Sequence, residues 1–140
     1  MKSPCELKRI QELFKKLLAV DSIKFPKPRK RMLATRKPGV YLIINSKSKV
    51  VHVGRTVRGK NGIAQRLKNH LNGKSSFVGS FLKRDGSKLR GRYSFKCLAV
   101  KNSRKRALLE AYATGHLCPK HLGLGEKSVA KNSKFGRTTR

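Results

Sequence analysis

Carboxylates are what this chain has least of. Six Asp and Glu stand against 36 Lys and Arg, a formal net charge of +30 over 140 residues. So few acids leave little room for a paired-carboxylate site, and each acidic residue can be judged singly. Tryptophan is absent and aromatics make up 6% of the chain, which argues against recognition of single strands by base stacking. The three cysteines, Cys5, Cys97 and Cys118, are widely spaced and odd in number. That pattern excludes a disulfide framework and a Cys-x-x-Cys zinc module, and it suits a reducing interior. No apolar run reaches membrane-spanning length, and the N-terminus lacks an apolar stretch of signal-peptide type. The expectation is an intracellular protein of cytoplasm or nucleoid with no membrane role.

What is abundant is positive charge, spread along the whole chain. A polyanionic partner follows, because neutralising phosphates releases condensed counterions. Nucleic acid is the expected partner, DNA ahead of RNA, since no single basic amphipathic helix dominates as a membrane-surface segment would require. The length suits one compact domain with ragged ends; oligomeric state is not legible.

Residues 1–21 read as an amphipathic helix. Ser3-Pro4-Cys5-Glu6 fits a capping box, and Leu7, Ile10, Phe14 and Leu17 recur at helical spacing. Residues 22–37 hold seven basic residues and no acidic one, with Pro26 and Pro28 inside and Pro38 directly after. This is an extended basic connector, and Arg29, Lys30 and Arg31 are candidate phosphate contacts. Residues 38–122 carry the regular pattern, and residues 123–140 form a tail rich in Gly, Lys and Ser.

Inside 38–122, two β-branched and aliphatic runs (39–45 and 50–54) flank Ser46-Lys47-Ser48-Lys49 as a hairpin. A basic, glycine-containing loop follows, where Arg55, Arg58 and Lys60 suit a phosphate backbone. Ile63, Leu67 and Leu71 give a helix over 63–72, with Lys68 a further phosphate contact and Arg66 and His70 together on one flank. Phe77, Phe81 and Leu82 predict a buried helical turn. Residues 92–100 alternate as a third strand, and Ser103 caps a helix over 104–114 with an apolar face of Ala107, Leu108, Ala111 and Tyr112 and a stop at Gly115. Glu110 is the one carboxylate set mid-helix beside an apolar face. His116, Cys118 and His121 invite a zinc reading, with Cys97 as a fourth candidate ligand, but the spacing is irregular. A helix-to-loop turn with a buried cysteine is preferred.

The order of these features resembles the GIY-YIG nuclease family. Gly39-Val40-Tyr41, then His52-Val53-Gly54 after ten intervening residues, then Arg66 and His70 on one helix and Glu110 on a later one, follow that family's pattern over residues 38–122. The resemblance implies an α+β fold, a small three-stranded antiparallel sheet flanked by helices, here with an extra N-terminal helix. It implies endonuclease cleavage of DNA with one Mg²⁺ or Mn²⁺ ion. Tyr41 would be the general base, and Arg66 would stabilise the scissile phosphate and lower the Tyr41 pKa. Glu110 would hold the cation, and His70 would contact phosphate or move a proton. This chain departs from the pattern twice: His52 stands where the family usually has Tyr, and the family's Asn in a Pro-x-x-Asn setting is missing from the stretch after Pro119, with Asn132 too late to assign. An active enzyme is the favoured reading; a decayed fold serving as a nucleic-acid-binding scaffold, for instance in a ribonucleoprotein, is the alternative.

Overall fold

The computed structural model describes residues 5–57, 61–75, 77–83 and 85–122. The architecture is α+β: an antiparallel sheet with helices on both faces. Helix α1 (Glu6–Ala19) leads into strand β1 (Ile23–Lys24), and β2 (Gly39–Ile44) and β3 (Val50–Arg55) form the hairpin. Helix α2 (Gly62–Leu71), a π-helical turn (Phe77–Phe81), a 3-10 turn (Gly86–Leu89), β4 (Ser94–Ala99) and α3 (Ser103–Leu117) follow.

The sheet has four strands in the order β1-β4-β2-β3, not three. The additional strand lies in the stretch read as connector, where Ile23 pairs with Phe95 and Lys24 with Ser94. It is short because Pro26 has no N–H to offer the ladder, and the last bond is Phe25 N–H to the Tyr93 carbonyl at 2.9 Å.

Period-two alternation in β2 divides the core. Tyr41 and Ile43 face α2 and pack with Phe25, Ile63, Leu67, Phe77 and Phe95. Val40, Leu42 and Ile44 face the other way, toward Ile10, Phe14 and Leu17 of α1 and Leu109 and Ala113 of α3. In β3 a bulge intervenes: Ile43 pairs with His52 but Ile44 pairs with Val50, leaving Val51 extra. The register keeps His52 and Gly54 on the Tyr41 side. All six residues of β2 are buried, as expected for a strand covered on both faces.

Helix α3 differs from its sequence pattern. Asn102, not Ser103, caps it by accepting from Lys105 N–H at 2.9 Å, and it runs through Gly115 to end on Cys118 in the left-handed region. Its deepest residues are Arg106, Leu109 and Ala113, about one residue, or ~100°, round from the expected face. Arg106 explains the rotation. Its guanidinium is buried and donates to the carbonyls of Thr56, Val100 and Lys101 at 3.0, 3.0 and 2.7 Å, so a charged residue holds an inward position by tying chain ends together.

Helix α1 follows its predicted stripe, with Ile10, Phe14 and Leu17 buried, although Leu7 is exposed; Ser3 and Pro4 of the predicted capping box lie outside the described residues. Leu17→Ala, at a fully buried position, is expected to cost about 2–5 kcal/mol in urea unfolding. A cost under about 0.5 kcal/mol would mean that α1 is not part of the core.

Candidate active site

Strand β3 is an edge of the sheet, and this is what assembles the site. Only past a sheet edge can side chains from helices on opposite faces meet. Over that edge lies a cleft of about 570 Å³ lined by His52, Gly54 and Arg55 of β3, Arg66 of α2, Glu110 of α3, and His121. His121 is brought there by its N–H, which donates to the Val51 carbonyl at 3.0 Å.

Tyr41 lies just behind the cleft wall. It is opposite Gly54 in the β2–β3 register, and a Cβ at Gly54 would overlap the Tyr41 ring carbon and hydroxyl. The glycine therefore makes room for the phenol beside the cleft. The Tyr41 hydroxyl is 2.8 Å from His70 Nε2, and His70 Nδ1 is 2.6 Å from Ser75 Oγ, which also accepts from Val78 N–H. Two proton arrangements satisfy this chain. Either Tyr41 O–H donates to Nε2 and Nδ1–H to Ser75, or Ser75 O–H donates to Nδ1 and Nε2–H to the phenol oxygen.

Burial sets the ionisation here. Tyr41 is fully buried and its pKa is pushed up to about 12; Arg66 opposes that rise, and Glu110 adds to it. The expectation that Arg66 lowers the Tyr41 pKa is thus half right: the guanidinium acts in that direction, but desolvation outweighs it. Near neutral pH Tyr41 is a neutral phenol. Burial, reinforced by His121 and Arg66, lowers His52 to about 3. Burial, with His52, Arg66 and His121, also holds His70 well below the usual histidine range. Both rings are uncharged. His52 stacks on Phe77 with centroids 4.9 Å apart, and its Nδ1 is 2.9 Å from His121 Nδ1, so one ring donates and the other accepts.

Glu110 receives a hydrogen bond from Arg55 Nε on Oε1 at 2.9 Å, with both side chains about a third exposed. Arg66 Nε is buried and has no hydrogen-bond partner among the described residues. The residue also lines the cleft, and a guanidinium at a cleft wall suits an anionic ligand oxygen.

The sequence candidates thus divide. His52, Arg55, Arg66 and Glu110 line the cleft, and Tyr41 and His70 are buried behind its wall. Lys30, Arg31 and Lys68 line a different groove, Arg29 is exposed in the connector, and Arg58 and Lys60 lie outside the described residues. The zinc alternative separates in space: His116 packs on Phe14 at 4.9 Å, His121 packs on His52 at 5.0 Å, and Cys118 is exposed rather than buried. Among the described residues no group of three or more His, Cys, Asp or Glu gathers as a metal cage. Sequence reasoning placed a helical turn after Ser75 but missed Ser75 as a partner of His70. It weighed His121 only as a zinc ligand.

No family model matches the chain, and no curated protein matches it. Among solved structures it is similar to the GIY-YIG N-terminal endonuclease domain of UvrC from Thermotoga maritima bound to its catalytic divalent cation, magnesium. Identity is 21%, 86% of this chain and 97% of that chain are covered, and the TM-score is 0.47. A point mutant of the same domain, bound to the cation, matches at the same identity and TM-score, with 96% of its chain covered.

The histidines make stability depend on pH. The unfolded chain takes up a proton on His52 near 6.5, whereas the folded chain does so only near 3. The folded state therefore binds fewer protons in that window, and stability falls as pH drops. Replacing His52 with Gln is expected to flatten the dependence by about 1.4 kcal/mol per pH unit between about pH 6 and 5, measured by urea unfolding. Parallel slopes for the two proteins would show that His52 protonates freely in the fold.

Proposed function

We propose that this chain is a metal-dependent endonuclease of GIY-YIG type that hydrolyses phosphodiester bonds in DNA. The observation that carries the reading is a cleft lined by Arg66 and Glu110, from helices on opposite faces of the sheet, with the hydrogen-bonded Tyr41–His70 pair buried behind its wall.

Arg66, whose side chain lines the cleft, binds a non-bridging phosphate oxygen through its guanidinium and offsets charge as the attacking water bonds to phosphorus. Such preorganised donors contribute about 10²–10³ in rate. Tyr41 does not act as a pre-ionised base. It takes a proton from the water while its own passes to His70 Nε2, which is neutral and able to accept; Ser75 keeps the ring in position. This relay needs the arrangement in which Tyr41 donates to His70. His52, uncharged in the cleft wall and paired with His121, contributes a second proton-transfer group where the family usually has a tyrosine.

The donor set fits one Mg²⁺ or Mn²⁺ ion. Glu110 is a hard oxygen ligand with Oε1 oriented by Arg55, and Mg²⁺ is commonly held by one or two carboxylates, with waters and substrate phosphates completing the shell. Bound there, the cation neutralises charge on the scissile phosphate. Arg55 and the basic residues outside the cleft, including Arg29, Lys30, Arg31 and Lys68, add affinity for the backbone without reading sequence.

Supercoiled plasmid nicking with Mg²⁺ or Mn²⁺ tests this. Wild type should nick, EDTA should abolish nicking, and Tyr41→Phe, Arg66→Ala and Glu110→Gln should each lose about 100-fold or more. If wild type binds plasmid but does not nick it, or if the variants nick equally well, the enzyme reading fails and the nucleic-acid-binding scaffold takes its place.

A further inference from the structure

Helix α2 has two working faces. Arg66 and His70, four residues apart, look into the cleft side, whereas Lys68 lies two residues from Arg66, about 200° round the helix. On that far side is a second groove of about 290 Å³, which shares no lining residue with the cleft. Lys30, Arg31, Arg36, Lys68 and Arg90 line it around a floor that includes Met32 and Ala34, and among the described residues no acidic one lines it.

The groove is built rather than left by a loose tether. The segment from Phe25 to Lys37 is fastened at both ends. Arg90 donates from one terminal nitrogen to the carbonyls of Pro26 and Lys27, each at 3.3 Å, and Gly91 N–H donates to the Phe25 carbonyl at 3.1 Å. At the other end, Ile63 and Ala64 N–H donate to the carbonyls of Lys37 and Thr35 at 3.1 and 2.9 Å. Gly62, at φ +48, lets those carbonyls approach, because a Cβ there would collide with the carbonyl oxygens of Arg36 and Lys37. The Ile63 and Ala64 N–H groups in the first turn of α2 are thereby consumed, and what the groove offers an anion is its five cationic side chains.

We propose that this groove is a second binding site for the phosphodiester backbone of a duplex, engaged at the same time as the cleft across α2. The chemistry is charge-assisted contact to successive phosphates by side chains that carry no base-reading geometry. Lys30, Arg31 and Lys68 are exposed, so they can be exchanged without disturbing the core. The site does not depend on the cleavage reading, because it is tested by binding without divalent cation.

The test compares three full-length triple variants with wild type, by fluorescence anisotropy in EDTA, on a short DNA duplex and the RNA duplex of the same sequence. Lys30→Ala with Arg31→Ala and Lys68→Ala removes the groove charge. Lys8→Ala with Lys15→Ala and Lys47→Ala removes equal charge from exposed positions elsewhere. Lys30→Arg with Arg31→Lys and Lys68→Arg keeps the groove charge. The groove triple should bind about tenfold or more weaker than the control triple at physiological salt. Its log K against log salt slope should be shallower by about 2–3 than that of wild type. The charge-preserving triple should match wild type. A loss on both duplexes identifies a shared backbone site, and a loss on one identifies which backbone it takes. Equal affinity and slope for the groove and control triples overturns the proposal, as does a charge-preserving triple that binds as weakly as the groove triple.

Discussion

The contact on which the site depends is the buried one between the Tyr41 hydroxyl and His70 Nε2. Two polar side chains sit in an otherwise apolar layer between β2 and α2, and neither is exposed. Left unpaired, each would cost about 1–3 kcal/mol, so the pair specifies how α2 docks as well as tolerating its own burial. Once His70 is fixed by Tyr41 on one nitrogen and Ser75 on the other, the rotation of α2 is fixed. Arg66 then points into the cleft and Lys68 away from it. Gly54 completes the constraint from across the hairpin, because only a residue without a side chain leaves space for the phenol.

A second constraint is topological. Glu110 and Arg66 sit on helices that cover opposite faces of the sheet, and the edge position of β3 lets them share a cleft. In so basic a chain, a carboxylate set beside Arg55 and near Arg66 occupies a strongly positive environment. It is the acidic residue among the cleft-lining side chains, which suits it to join a cation and a phosphate in one place. The same charge balance, +30, suits a polyanionic partner. On the reading proposed above, any selectivity would come from the geometry of the cleft and the groove on either side of α2.

Much of this was legible in the sequence because it is local. The hairpin shows as two apolar runs about a polar turn, and Arg66 and His70 share a helix flank because four residues make about one turn. Glu110 stands out because so few acids compete with it. What was not legible is tertiary. β1 is two residues long and exists only because β4 offers an edge. The inward face of α3 is disguised by Arg106, whose burial is compensated by carbonyls from two other segments. Ser75 and His121 reach the site through a turn and a chain reversal that leave no periodic mark. The ionisation of Tyr41 could not be read from its neighbours in sequence, since burial, which overrides Arg66, is a property of the folded core.

The account turns on a tyrosine that is neutral at rest and relays a proton instead of starting as a phenolate. Titration of Tyr41 by NMR, with ¹³C at the ring carbon bearing the hydroxyl and the signal assigned by its loss in Tyr41→Phe, measures this directly. The account predicts that the Tyr41 signal keeps its neutral position through pH 10 and moves only toward about 12. A midpoint below the ordinary tyrosine value of about 10 would contradict it, and would mean that Arg66, not burial, governs the phenol.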